Sequence, residues 1–500
     1  MLTSDKNLII AFFTVLVVAF SLNMLNVSCI RKQTDTGNEF LNKNLVYNQT
    51  IFSIDNSWYL PQIHNFLAGK GFTCDTTDPR QAVRRTPVYP MFYGIHYLLF
   101  GEKKSFFAIK TTQTFLFALS AIALLLAAFH LSGNRKIAWL SYLLYGFNPT
   151  LISYTYYTVT ESLAPALICF MLYFFAKSIR FHSVSNWLLT GIFFSLASLC
   201  RPTVFIFGGS VAITIIILYR NDLRKMLKMM FAFGFAVCLL FVPYIIRNYK
   251  VSGGDIVILE KYYDDPMGYG MQNIELRKWI ATWMNPADYN SERISNKMID
   301  NIRFHRPKEN LLDSLISTIP PAAYTSYRKE TVADIYQTMY GFYEYKFTPG
   351  PNKNTDSAEM HAVQNIRKHK EHFIQNHPLK YYIVTPLLFM KSIILQSNSA
   401  TICYLDNYRS NKFVFFIKML LVLLNVFLFF SLAGNLLHLK KHFIFYIATL
   451  FFVAINIGYL LFVLNYFEAR YLIPLFPLMY ISAAIFAVES FDSIRYRLNL

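Results

Sequence analysis

The sequence predicts an all-α polytopic membrane protein with about ten transmembrane helices, interfacial helices in the first outer loop and a large, mostly helical outer loop. Three observations lead there. Hydrophobic residues make up 54% and aromatic residues 17% of the 500 positions, beyond what a soluble domain of this length carries. Predominantly apolar runs fall at 8–25, 106–131, 137–153, 160–178, 186–200, 203–219, 229–247, 413–434, 443–464 and 470–489. As helices they approach or exceed the length needed to cross a hydrocarbon core about 30 Å thick, with every backbone amide satisfied internally. Finally, Lys and Arg crowd into alternate loops.

That asymmetry sets the orientation, because short cytoplasmic loops carry the basic residues. With the N-terminus inside, the inner loops hold Arg135, Lys136, Lys177, Arg180, Arg220, Arg224, Lys225, Lys228, Lys440 and Lys441, and the tail Arg495 and Arg497. The short outer loops hold only Arg201 and Arg470. The net charge of +18 is then explained by anionic membrane lipids at the inner face, and no nucleic-acid motif is visible. The reading is a multi-pass protein of the plasma (inner) membrane. The cysteines show no CxxC or metal-ligand spacing; Cys29, Cys74 and Cys403 fall in outer segments, and a Cys29–Cys74 disulfide is compatible with that placement.

Three regions follow: an N-terminal membrane module, 1–247, whose first outer loop spans 26–105; an outer loop or cap, 248–412, with an interfacial helix at 379–397; and C-terminal membrane helices, 413–500. In the first outer loop, Asp55 precedes Tyr59, Ile63, Phe66 and Leu67, which share one helical face suited to the membrane surface. Asp55 at the start of that helix reads either as a capping group or as a reactive carboxylate. Arg84 and Arg85 lead into a second short helix that opens at Pro90 and ends at Phe100-Gly101, too short to span.

The order of these elements resembles the C-type-fold membrane glycosyltransferases, in particular the protein O-mannosyltransferase and lipid A aminoarabinose transferase family. The matching residues are Asp55, Tyr59 and Gly69 to Phe72, then Arg85, Pro87, Tyr89 and Pro90, then Thr160-Glu161, Arg201-Pro202, Arg247-Asn248, and Arg470-Tyr471 with Pro474 and Pro477. The likeness covers about 5–250 and 370–490. Ile63 departs from it, standing where relatives usually have a small residue, and 249–377 matches nothing. The resemblance implies Asp55 as the catalytic residue, and Tyr59, Arg84, Arg85, Tyr89, Glu161, Arg201, Arg247, Arg470 and Tyr471 as substrate-binding residues.

Elementary chemistry points the same way. A phosphate leaving group needs little proton donation, so one carboxylate acting as general base can suffice where glycosidases generally use two. Arginines would hold the phosphate as its charge grows; the alternative for each is a headgroup anchor. Glu161 reads as an acceptor-orienting group, a ligand for a divalent metal, or a helix-terminal acid. The expected activity is transfer of a sugar from a polyprenyl-phosphate donor to a lipid, glycan or protein acceptor on the non-cytoplasmic side, with no cofactor assigned.

The loop beyond Arg247 is punctuated by Pro266, Pro286, Pro307, Pro320, Pro321, Pro349 and Pro351 and reads as a helical cap. Its His369 and His372 share a helix face, but interleaved Lys368, Lys370 and Glu371 make that a solvated face rather than a metal site. Two rivals are a transporter or flippase, which would favour internal repeats and midplane charges, and a nucleotide-sugar enzyme, which would favour a Gly-rich phosphate loop or an Asp-x-Asp pair. Neither signature is present, and Asp264-Asp265 falls on the outer side, the wrong one for a nucleotide sugar.

Overall fold

The computed structural model describes residues 5–35, 45–263, 270–284, 291–317, 319, 327–349, 354–406, 409–465 and 468–497. Asp264-Asp265, Pro266, Pro286, Pro320, Pro321 and Pro351 lie outside the described residues. The chain divides into two compact units, one of residues 1–261, 395–456 and 469–500, the other of 262–394 and 457–468.

The first unit is a helical membrane module. Its helices are α1 (Asp5–Asp35), α2 (Asn56–Leu67), α3 (Val88–Ser132), α4 (Arg135–Gly146), α5 (Pro149–Tyr154), α6 (Thr160–Phe181), α7 (Val184–Ser198), α8 (Phe207–Tyr219) and α9 (Leu223–Val251). A two-stranded hairpin, β1 (Leu45–Val46) and β2 (Thr50–Ile51), precedes α2. Among the described residues, eight helical segments are long and apolar enough to cross a membrane, so the protein is integral to it. The two runs that fall short are 137–153 and 186–200. The first breaks because Asn148 caps a new helix, accepting from the amides of Thr150 and Leu151, with Pro149 at its first position. The second is the 15-residue α7.

The 45 residues of α3 far exceed one membrane crossing. Gly101 divides them, with φ 71° and ψ 174°, a conformation open to glycine and closed to residues with a Cβ. The part before the break keeps Met91, Ile95, Leu98, Leu99 and Phe100 exposed, the apolar stripe expected of an interfacial helix. The stripe on α2 is used differently from the sequence reading. Tyr59 and Ile63 are buried and only Phe66 and Leu67 stay exposed, because Ile63 packs with Tyr93, Phe106 and Ile109 of α3. A side chain at Gly94 would meet Ile63 Cδ1 at 2.7 Å; the bulk at 63 is accommodated by the missing bulk at 94.

Polar contacts define the two ends of this unit. At one end Lys136 meets Asp492 at 3.0 Å and Asn435 donates to Ser482 Oγ at 2.7 Å. At the other, Arg247 Nη1 donates to the carbonyl of Ala82, and Asn26 bonds Thr401 and Cys403. Residues 247–248 and 398–405 thus lie at the end of this unit that carries 26–105. Cys74 Sγ lies against the carbonyl of Gln81, whereas Cys29 Sγ lies 2.8 Å from Cys403 Sγ; the Cys29–Cys74 pairing does not form.

The module closes with α16 (Lys412–Gly434), α17 (Phe443–Tyr459, shared with the second unit) and α18 (Phe476–Arg497), numbered after the helices of the second unit. That second unit contains α10 (Met271–Trp283), α11 (Ser291–Arg303), α12 (Lys308–Ser317), α13 (Lys329–Phe347), α14 (Thr355–Asn376) and α15 (Thr385–Ile394), with a π-helical turn at Lys380–Val384. Trp279, Tyr336, Met339, Tyr343, Ile366 and Phe373 form its own core. His369 Nε2 lies 3.0 Å from Asp334 on an exposed face and His372 contacts Asn376; among the described residues neither joins a metal-ligating cluster.

Glu275 is a buried charge of this unit, 1% exposed at its side chain, facing Lys370 at 2.8 Å, Lys278 at 3.1 Å and Arg367 at 3.2 Å. Burial pushes its carboxyl up, but the Lys370 hydrogen bond and the surrounding charges outweigh burial and hold it below the ordinary glutamate value. A depressed carboxyl contributes stability above its unfolded value, and that contribution is lost as pH falls through the folded one. Glu275→Gln should therefore lower the Tm of the purified protein at pH 7, and the gap to wild type should narrow in the acid range below the ordinary glutamate value. A gap independent of pH would contradict the assignment.

Candidate active site

Four distant stretches of chain are drawn together around Asp55. The amide of Ile51 donates to the carbonyl of Tyr156 at 2.7 Å, and Thr158 Oγ1 donates to Asn56 Oδ1 at 2.6 Å; these bonds staple the start of α2 to the turn between α5 and α6. Gln113, buried on α3, completes the staple. Its amide nitrogen donates to the carbonyls of Thr155 and Tyr157 at 2.8 and 3.0 Å, and its oxygen accepts from Tyr89 and Ser162 at 3.0 and 2.6 Å. All four hydrogen-bonding positions of the amide are used, as a buried amide requires.

Asp55 occupies the position before α2 but makes no side-chain capping bond. Its carboxylate turns instead to Arg470, whose Nη1 donates to Oδ2, and to Arg85, whose Nη2 lies 4.0 Å from Oδ1. Arg470 also approaches Glu161, with Nε 3.6 Å from Oε1. Glu161 is 3% exposed at its side chain and pairs with Arg201 Nη1 at 2.8 Å; Arg201 also donates to Thr160 Oγ1 at 3.1 Å and to the carbonyl of Arg470 at 3.3 Å. Carboxylates and guanidinium groups thus alternate along one connected line from Arg85 through Asp55, Arg470 and Glu161 to Arg201. Each buried charge has an opposite neighbour, which is the condition for keeping it charged away from water.

Aromatic rings surround this line. The guanidinium of Arg84 lies 4.1 Å over the Trp58 ring, and that of Arg85 lies 5.9 Å from it. Tyr471 lies 5.8 Å from the Arg201 guanidinium and 6.0 Å from that of Arg470. Tyr59 packs on Tyr89 with ring centroids 5.3 Å apart. Burial, followed by the charge of Asp55, pushes the Tyr59 phenol well above its ordinary range, so it remains a neutral hydroxyl.

Arg247 stands apart. Its Nη1 donates to the carbonyl of Ala82 at 2.8 Å and to Asn248 Oδ1 at 2.9 Å, and its Nη2 donates to the carbonyl of Phe72. It ties down the first outer loop and touches neither carboxylate. Three participants were not singled out by the sequence: Gln113, Trp58, and Glu260, whose Oε2 lies 4.0 Å from Arg85 Nη1. A polar Gln113 within an apolar run was the available signal for the first; nothing marked Trp58 or Glu260. As for a metal, each carboxylate of the line already faces guanidinium groups, and the described residues contain no group of three or more His, Cys, Asp or Glu side chains placed to hold an ion. A cavity of about 850 Å³ opens beside α3 between Tyr47, Phe100, Lys103, Lys104 and Phe107; it includes none of the carboxylates.

Comparison with known proteins brings in the family. Residues 84–246 match the model of the family described as dolichyl-phosphate-mannose-protein mannosyltransferase. No curated protein matches the chain. Two solved structures are similar at 12% identity: the Archaeoglobus fulgidus oligosaccharyltransferase complex with Zn and sulfate, at a TM-score of 0.48, covering 97% of this chain and 50% of that one, and ArnT from Cupriavidus metallidurans bound to undecaprenyl phosphate, at a TM-score of 0.37, covering 96% of this chain and 78% of that one. The chain therefore spans about half the length of the oligosaccharyltransferase it matches. In the segment that carries Arg84, Arg85, Tyr89, Glu161 and Arg201, the chain resembles the membrane glycosyltransferases of the dolichyl-phosphate-mannose-protein mannosyltransferase family.

Proposed function

We propose that the chain is a membrane glycosyltransferase that moves a sugar from a polyprenyl-phosphate donor to an acceptor hydroxyl or phosphate at the non-cytoplasmic surface, with Asp55 as the general base. The observation that supports it is the arrangement of Asp55 between Arg85 and Arg470, backed by Glu161 and Arg201. In this reading the acceptor oxygen attacks the anomeric carbon as the bond from that carbon to the phosphate oxygen breaks. The polyprenyl phosphate leaves with the bonding electrons, and the acceptor proton goes to Asp55. The charge gained by the departing phosphate falls on fixed guanidinium groups, where it is stabilised without reorganisation.

The ion pairs also suggest an order of events. With Asp55 engaged by Arg470, its oxygens are committed to a guanidinium and are poor acceptors for a substrate proton. A donor phosphate competes for Arg85 and Arg470 and releases the carboxylate, so the base is freed once the sugar is in place. Glu161, paired more deeply with Arg201, keeps the cluster in position through that exchange. Tyr59 and Tyr89 wall the site, and Arg247 acts through the loop.

Two experiments test this. Purified Asp55→Asn should still insert and fold, at a lower Tm, bind the polyprenyl-phosphate donor and lose turnover by roughly 10²-fold or more. Arg85→Ala and Arg470→Ala should weaken donor use by on the order of 10- to 100-fold each, the range of a charge-assisted hydrogen bond. Normal turnover by Asp55→Asn, or efficient use of a nucleotide sugar without a lipid carrier, would overturn the proposal. Separately, a double-mutant cycle with Asp55→Asn and Arg470→Ala, read by Tm, should give a coupling of about 1.5–3 kcal/mol; additive losses would show that the pair does not form.

A further inference from the structure

Cys29 and Cys403, 374 positions apart, bring their sulfurs to 2.8 Å, closer than unbonded sulfur atoms settle. We propose that these two residues form a disulfide that ties the end of α1 to the 398–405 loop. The approach is held by the surrounding backbone. Asn26, one turn before Cys29, accepts from the Cys403 amide at 2.6 Å and donates to the Thr401 carbonyl at 3.2 Å. The loop is fixed on its other side as well: the Asn398 carbonyl accepts from Thr150 at 2.7 Å, Thr401 Oγ1 meets Ser153 Oγ at 2.6 Å, and the Thr401 carbonyl accepts from Tyr157 at 3.3 Å. A disulfide brings two sulfurs to about 2.05 Å, and these two already lie at 2.8 Å.

Chemistry and compartment agree. The basic loops orient the ends of α1 and of the 398–405 loop to the non-cytoplasmic side, where disulfides form and persist. Cys29 is partly exposed and Cys403 is buried, which sets the order of steps. The Cys29 thiolate attacks the disulfide of an external oxidant of the thiol–disulfide exchange class and displaces one of its sulfurs as a thiolate. The Cys403 thiolate then attacks the Cys29 sulfur, expelling the second oxidant sulfur. Two cysteine protons and two electrons leave with the reduced oxidant.

The bond lies at the edge of the network that seats Asp55. Tyr157, which holds the loop through its hydroxyl, presents its carbonyl to Gln113, and the neighbouring Tyr156 carbonyl holds Ile51 just before Asp55. A covalent tie there restrains the rim of the site in its paired form. The inference does not depend on which group the site transfers.

Membranes from cells expressing the full chain, lysed in excess alkylating agent and digested without reductant, should yield a peptide pair linking Cys29 to Cys403 that disappears on reduction. Recovery of both residues alkylated, or of Cys29 linked to Cys74, would overturn the proposal. Thermal unfolding of the purified protein supplies a second reading: Cys29→Ser and Cys403→Ser should lower Tm equally, with no further loss in the double variant. Additive losses would likewise overturn it.

Discussion

Everything in the site depends on the need to keep buried charges paired. Asp55 and Glu161 carry negative charge at positions 8% and 3% exposed, where an isolated carboxylate would cost several kcal/mol. Arg470 meets both of them, one through Nη1 and the other through Nε. One guanidinium from the approach to the last membrane helix thus joins the first outer loop to the start of α6, and Arg201 locks Glu161 from the approach to α8. Where the fold buries these segments together, each charge meets an opposite one.

The same requirement explains the neighbourhood. Gln113 uses its whole hydrogen-bonding capacity to hold Tyr89, Ser162 and the carbonyls of the 155–157 turn, so the turn that faces Asp55 is satisfied from inside the bundle. Arg247 secures the far side of the first outer loop through the carbonyls of Phe72 and Ala82. The loop that carries the carboxylate is therefore anchored at both edges, and the cluster between them is held from both sides.

Much of this was legible in the sequence, and the parts that were not have physical reasons. Apolar length gave most of the membrane helices, and the family resemblance named Asp55, Arg85, Glu161, Arg201 and Arg470, which the fold brings into one cluster. Length alone could not show that Asn148 would break one run in two, since a capping side chain acts through local geometry. Nor could periodicity tell that the α2 stripe would be spent on α3 rather than on the membrane, because that depended on Ile63 meeting Gly94 across the fold. Trp58 under Arg84 and Glu260 beside Arg85 follow from tertiary placement, for which one sequence holds no signal. The approach of Cys29 to Cys403 rather than to Cys74 is of the same kind.

The central claim is that the arginines around Asp55 receive the phosphate of a lipid-linked donor and thereby release the carboxylate. A cryo-electron microscopy structure of the purified protein with a bound polyprenyl phosphate tests it most directly. The account predicts phosphate oxygens within hydrogen-bond distance of Arg85 or Arg470, with the Asp55–Arg470 contact opened. A phosphate seated elsewhere in the protein, with that contact intact, would contradict it.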